Sequence, residues 1–259
     1  MRASVMQLKV DPAESVAARR ERAAELVRAQ HGSDLVVLPE LWTVGAFAYE
    51  SFAAEAERLD GPTAEAMSRA ARDTGVWLHA GSIVETTPDG SLYNTSLVFS
   101  PDGELARTYR KIHRFGFDRG EAVLMSAGSE IVTVPTPEAT LGLATCYDLR
   151  FPELFRALTD AGAEILVVPA GWPARRREHW RLFARARAVE DQCYVLACGT
   201  AGTHADVEQA GHSMVVDPWG TVLAEAGADE EVLTVDLDLA TVAKTRADFP
   251  ALKDRVIGR

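Results

Sequence analysis

Three side chains of different chemistry follow three strand-like runs in this chain. Glu40 comes directly after Asp34-Leu35-Val36-Val37-Leu38-Pro39, Lys111 soon after the run over 103–108, and Cys146 after Thr140-Leu141-Gly142-Leu143-Ala144-Thr145. Strands of α/β folds end at crevices where ligands bind, so a carboxylate, an ammonium and a thiol at three such exits can converge. Together they make a plausible cluster of carboxylate, ammonium and thiol, in which the thiol suits a nucleophile. Singly, each has a plainer reading. Glu40 could open a helix, Lys111 could be a solvated charge, and a lone cysteine is ordinarily a core residue. The combination favours chemistry.

The residues around Cys146 point the same way. Cys146-Tyr147-Asp148-Leu149-Arg150-Phe151-Pro152-Glu153 passes through a polar turn into a helix start, with Pro152 and Glu153 where a first helical turn favours them. A side chain on that bend has backbone N–H groups beside it. A free thiol titrates near pH ~8.5, so a neighbouring cation and base are needed to supply thiolate at neutral pH.

The elements that must position these groups repeat along the chain. Hydrophobic periodicity predicts strand 3–10, helix 14–30, strand 34–38, helix 62–74, and strands near 76–84, 92–99 and 103–108. It then predicts strand 140–145, helix 152–161, strand 164–169, a helix near 177–190, and strands near 193–199, 212–217 and 221–226. Each half closes on a hairpin with a Pro-x-Gly turn, Pro101-Asp102-Gly103 and Pro218-Trp219-Gly220. Each half is thus a mixed sheet needing cover on both faces. Helices supply one cover and the other sheet the second, which predicts an α/β fold, a four-layer α-β-β-α sandwich of two similar halves.

Composition narrows the partners. The 259 residues carry a formal net charge of −11, which disfavours nucleic acid and anionic membrane surfaces as partners. No apolar run reaches spanning length, and the N-terminus lacks a signal-peptide pattern. The three cysteines, Cys146, Cys193 and Cys198, have no metal-ligand spacing and suggest free thiols in a reducing, cytoplasmic compartment. The six histidines form no His-x-His or His-Glu-x-x-His pair, which agrees with a thiol-based chemistry that needs neither a metal nor an organic cofactor. Asn94-Thr95-Ser96 matches a glycosylation sequon, a short pattern read as structural.

The chain resembles the nitrilase superfamily of carbon–nitrogen hydrolases. The resemblance rests on Leu38-Pro39-Glu40, Tyr109-Arg110-Lys111-Ile112-His113, Gly142 through Glu153, His179-Trp180, Arg185 through Glu190, and Gly211-His212-Ser213 through Gly220. These cover nearly the whole chain in family order and imply one domain over residues 1–259 with the same sandwich fold. They also imply Cys146 as nucleophile, Glu40 as general base and Lys111 beside the oxyanion, with the Tyr147 backbone N–H as a second oxyanion donor. A second active-site glutamate of the family best matches Glu121, for which a surface loop charge is the competing reading. The segments around Lys111 and Cys146 look most like the omega-amidase branch, whose implied substrates are 2-oxoglutaramate and 2-oxosuccinamate. Other branches take N-carbamoyl compounds or aliphatic amides, and a catalytically idle scaffold is the reading from a different class.

Substrate-facing groups are harder to place. Trp172 follows an apolar strand and is read as a wall of the crevice, with a core aromatic as the competing reading. His113 and Phe115 flank Lys111 and line the pocket or pack beneath the lysine. Arg175-Arg176-Arg177 has the plainer reading of a solvated charge run, although Arg175 or Arg176 could receive a substrate carboxylate; Arg150 could read substrate, but its neighbours Asp148 and Glu153 favour an internal ion pair. The resemblance implies a homodimer, with the helices near 153–161 and 177–190 at its interface and Leu154, Leu158, Trp180 and Phe183 as apolar positions available for it.

Overall fold

A computed structural model describes residues 1–257. The chain begins with β1 (Arg2–Gln7), α1 (Val16–Arg28), β2 (Leu35–Val37), α2 (Pro62–Thr74), β3 (Trp77–Thr86), β4 (Leu92–Phe99) and β5 (Leu105–Arg110). A one-turn helix α3 (Glu121–Leu124) leads to β6 (Thr133–Pro135), β7 (Thr140–Leu143), α4 (Pro152–Asp160), β8 (Ile165–Ala170), α5 (Arg177–Asp191) and β9 (Tyr194–Gly199). A small hairpin, β10 (Thr203–His204) and β11 (Val207–Glu208), precedes β12 (Met214–Val216), β13 (Val222–Glu225), β14 (Glu231–Asp236) and α6 (Ala240–Asp248).

Local chemistry sets the helix ends. Ser15 accepts the Ala18 N–H at 3.2 Å to cap α1. Pro62 and Pro152 open α2 and α4, where no N–H is needed. Gly75, at φ 73°, closes α2 by donating its N–H to the Ala71 carbonyl. Leu154, Phe155, Leu158 and Thr159 form one buried stripe of α4.

Two six-stranded sheets share one topology. Their orders are β14-β1-β2-β3-β4-β5 and β6-β7-β8-β9-β12-β13. In each, three central strands run parallel, and the flanking strands join them antiparallel. The sheets face one another across Val5, Leu35, Val37 and Tyr109 on one side and Leu141, Ile165, Val167 and Leu196 on the other. Met6, Val36, Leu38 and Leu78 cover the outer face of the first sheet beneath α1 and α2. Leu166, Val168 and Val195 do the same beneath α4 and α5. This is the expected α-β-β-α sandwich.

The halves are less separate than the repeat suggests. β14 crosses back to the first sheet, pairing Ala3 with Val235, so the chain's last strand closes the half that contains its first. β6, β14, α6 and the β10–β11 hairpin were not anticipated. The helix-face argument for a dimer also needs correction. Leu154, Leu158 and Trp180 are buried within the single chain, and Phe183 packs against the same cluster. The exposed apolar residues of α5 are Leu182 and Val189. Among the described residues no helix is long and apolar enough to cross a membrane.

Candidate active site

Glu40, Lys111, Glu121 and Cys146 line one pocket at the ends of β2, β5 and β7. Strand register brings them there. β2 lies beside β3, and β3 carries an irregularity between His79 and Ser82. At that point Gly81 has φ +67°, and any Cβ on it would collide with the Pro39 carbonyl oxygen. The irregular stretch grips the loop after β2: Ser82 Oγ accepts the Leu41 N–H at 3.0 Å, and Trp42 Nε1 donates to the Ala80 carbonyl at 2.9 Å. Leu41 itself sits at φ 43°. A left-handed backbone costs a non-glycine residue about 1–2 kcal/mol, and such strain collects where geometry is constrained.

Cys146 shows the same feature, at φ 49°. It opens a tight turn over Cys146–Arg150, a bend distinct from the α4 helix start that follows. Asp148 anchors this turn to the lysine loop. Its carboxylate accepts the Thr145 N–H (2.8 Å), the Tyr109 hydroxyl (2.7 Å) and the His113 N–H (2.9 Å). The His113 ring meets the same carboxylate at 2.7 Å and stacks on Phe151. Two of the readings above are thereby corrected. His113 lies outside the pocket lining, committed to Asp148, and Asp148 is not the partner of Arg150.

The charged groups form a closed ring. Lys111 Nζ donates to Glu40 Oε1 and to Glu121 Oε2, both at 2.7 Å, and is only 1% exposed. Asn94 Nδ2 donates to Glu40 Oε1 at 2.8 Å and to Glu121 Oε1 at 2.6 Å. Gly171 N–H donates to Glu40 Oε2 at 2.7 Å, and Phe115 N–H to Glu121 Oε2 at 2.9 Å. A buried Glu121 ends the surface-charge reading of that residue. The helix-start reading of Glu40 and the solvated reading of Lys111 fall with it.

Burial and charge decide the protonation states. Burial alone would lower the Lys111 pKa, but Glu121 and Glu40 hold its ammonium well above the usual lysine value. Burial raises the Glu121 carboxyl, helped by Glu40 and opposed by Lys111 and Asn94. Burial also pushes the Cys146 thiol well up, and the Glu40 charge adds to this. Both effects favour the neutral thiol at rest. The thiol donates to the Gly171 carbonyl at 3.8 Å, and the N–H of the same Gly171 is held by Glu40, which places a carboxylate near enough for deprotonation to accompany attack.

Aromatic and cationic groups make up the rest of the pocket. Phe115, Trp172 and Arg176 line it as expected, together with Tyr147, Phe47 and Arg150. The Tyr147 N–H donates to no acceptor among the described residues. The inner space is tight, with room for little more than one water. It meets a wider vestibule across Phe47, Phe115, Pro173 and Arg176. Arg175 borders only the vestibule. Arg150 pairs with neither Asp148 nor Glu153. Its guanidinium lies 5.0 Å from the Trp172 ring centre and 3.3 Å from His179 Nδ1. Arg176 lies over Phe115 at 5.2 Å, and burial together with Arg175 and Arg150 lowers its pKa.

Sequence reasoning missed the roles of Asn94 and Asp148, and it weighed Arg150 as a substrate-facing group only to set it aside. Asn94 was hidden by its match to a sequon; in the fold its side chain is buried and committed to the ring. Arg150 was misread because adjacent acidic residues suggest pairing, yet the turn directs their side chains elsewhere.

The fold and this site define a class: a two-sheet sandwich enzyme with a thiol, two carboxylates and an ammonium at its strand ends. The chain belongs to the carbon–nitrogen hydrolase family of the nitrilase superfamily, whose family model matches residues 2–247. It is 43% identical over 259 residues to a 2-oxoglutaramate amidase of Paenarthrobacter nicotinovorans, covering 97% of this chain and 88% of that protein. It is 38% identical to an omega-amidase of Mus musculus, covering 98% and 94%. A carbon–nitrogen hydrolase superfamily protein of Xanthomonas campestris, solved with an arsenic adduct in its active site, superposes with a TM-score of 0.91. That structure is 33% identical and covers 99% of this chain and 97% of its own.

Proposed function

We propose that this enzyme is an omega-amidase, releasing ammonia from the terminal amide of 2-oxoglutaramate or 2-oxosuccinamate through a thioester on Cys146. The observation that carries the substrate class is the pair of guanidinium groups, Arg150 and Arg176, on the wall of the thiol pocket. Each rests on aromatic rings and neither has a carboxylate partner among the described residues. Their charges oppose one another, so an anionic group between them relieves repulsion and gains charge-assisted hydrogen bonds. The likeness to a 2-oxoglutaramate amidase supports the same substrate.

The chemistry follows from the ring. Glu40 takes the thiol proton as Sγ attacks the amide carbon. Lys111 Nζ and the Tyr147 N–H receive the developing oxyanion. Collapse of the tetrahedral intermediate breaks the C–N bond, and Glu40 returns its proton to the leaving ammonia. Glu40 then takes a proton from water, whose oxygen attacks the thioester, and the proton passes back to the departing thiol. Glu121 holds Lys111 charged and in place throughout. The net reaction is amide plus water to carboxylic acid plus ammonia.

Comparing kcat/KM for 2-oxoglutaramate, glutamine, propionamide and an N-carbamoyl amino acid tests this reading, with Arg176→Met beside the wild type. The dicarboxylic monoamide should be preferred. Arg176→Met should lose about 10–100-fold on it, the worth of one buried hydrogen bond to a charged group, and little on propionamide. A wild-type preference for propionamide or the carbamoyl compound would reject the substrate class.

A further inference from the structure

Asn94 touches every charged member of the ring. Its side-chain Nδ2 donates to both Glu40 and Glu121, and its main-chain carbonyl accepts the Lys111 N–H at 2.9 Å. It reaches them from the middle of β4, between β3 and β5. The side-chain carbonyl, by contrast, is buried with no hydrogen-bond partner among the described residues. An unpaired buried acceptor is destabilising and in a native fold calls for an explanation. Turning the amide over would not cure it, because Oδ1 would then face two carboxylate oxygens at the 2.6–2.8 Å now spanned by Nδ2. The orphaned carbonyl is the consequence of giving both N–H groups to the glutamates.

We propose that Asn94 is a positioning residue, a neutral double donor that holds Glu40 and Glu121 together in ionised form on either side of Lys111. This rests on the reading of the pocket as amidase machinery. One ammonium shared by two carboxylates leaves the ring with a net negative charge, and two adjacent carboxylates tend to capture a proton. A captured proton would occupy the base that must accept one from Cys146. Donors to the ionised form oppose that capture without adding charge. Asparagine supplies two from a short, stiff strand side chain. Aspartate, of equal size, would supply at most one and would bring a third carboxyl. The other titratable groups facing the ring are Cys146, the Tyr49 hydroxyl and Arg176. Arg110 and Glu85, on the neighbouring strands, pair with each other.

The test is the pH dependence of two rates in Asn94→Asp and Asn94→Ala: kcat/KM for amide hydrolysis, and alkylation of Cys146 by iodoacetamide. Both need an ionised base. Loss of the donors should move the acid limb of both profiles up by about one pH unit and lower kcat by about 10-fold or more, with a smaller effect on KM. Should Asn94→Ala fail to fold, the equal-sized Asn94→Asp decides. A folded variant whose acid limb superimposes on that of the wild type overturns the proposal, whatever its stability. The alkylation profile needs no substrate. If the wild type released no ammonia from any amide while the alkylation limb still moved in Asn94→Asp, the amidase reading would fall and the role of Asn94 would stand.

Discussion

Replacing Lys111 with methionine removes the only ammonium in the ring of Glu40, Asn94 and Glu121. Methionine keeps roughly the length of the side chain, so the effect is chiefly electrostatic. The sequence reading does not count Lys111 as a core residue, so its loss would leave the fold intact; burial at 1% exposure says otherwise. Two buried carboxylates would remain, joined through Asn94. Breaking a buried pair from one side costs about 3–5 kcal/mol, but the site can escape by binding a proton. For a carboxyl with an ordinary pKa of about 4.3, holding a proton costs about 4 kcal/mol at pH 7 and about 1 kcal/mol at pH 5. The destabilisation is therefore bounded by those values. The sign follows from Glu121, whose folded-state pKa is already raised: a raised carboxyl binds more protons folded than unfolded, so its penalty grows as pH rises. Relative to wild type, the melting temperature of Lys111→Met should fall by about 10 °C at pH 7 and about 3 °C at pH 5. The kcat should drop at least about 10²–10³-fold from loss of one oxyanion donor. Circular dichroism melts across pH and an ammonia-release assay read both effects. Near-normal turnover, or a melting difference independent of pH, would refute the placement of charge in this ring.

Two further outcomes are expected. Iodoacetamide should modify Cys146 far faster than the other thiols. Cys146 opens on the pocket beside Glu40, whereas Cys193 and Cys198 are fully buried within the apolar core; equal labelling of all three, seen by peptide mapping, would contradict this. The chain should also form a homodimer through α5, whose Leu182 and Val189 are exposed, with Leu182→Glu weakening it; a monomeric mass for the wild type by light scattering at micromolar concentration would reject the interface.

The sheet strands around the site were legible because their side chains have one surrounding along their length. β2, β8 and β9 are buried on both faces and read as unbroken apolar runs. β6 is three residues long, and β14, at a sheet edge, buries only Leu233 of its six residues, so neither gives a strong period. Glu40, Lys111 and Cys146 could be singled out because each follows such a run and their chemistries are complementary. Asn94 could not, and Arg150 was set aside in favour of an internal ion pair. The function of Asn94 depends on which residues lie across β3, β4 and β5, and that is set by strand register. The freedom of Arg150 depends on a turn that sends Asp148 inward, toward Tyr109 and His113. His113 was placed in the pocket by its nearness to Lys111 in sequence, and the same inward carboxylate explains why it is not there.

The account stands on Cys146 carrying the acyl group. Mixing enzyme with 2-oxoglutaramate, quenching in acid within the first turnover and mapping peptides by mass spectrometry tests this directly. The predicted result is a 2-oxoglutaryl thioester on the peptide containing Cys146, accumulating when hydrolysis is slower than acylation and lost on treatment with hydroxylamine. Ammonia released stoichiometrically by Cys146→Ala protein, with the acyl group absent or on another residue, would contradict it.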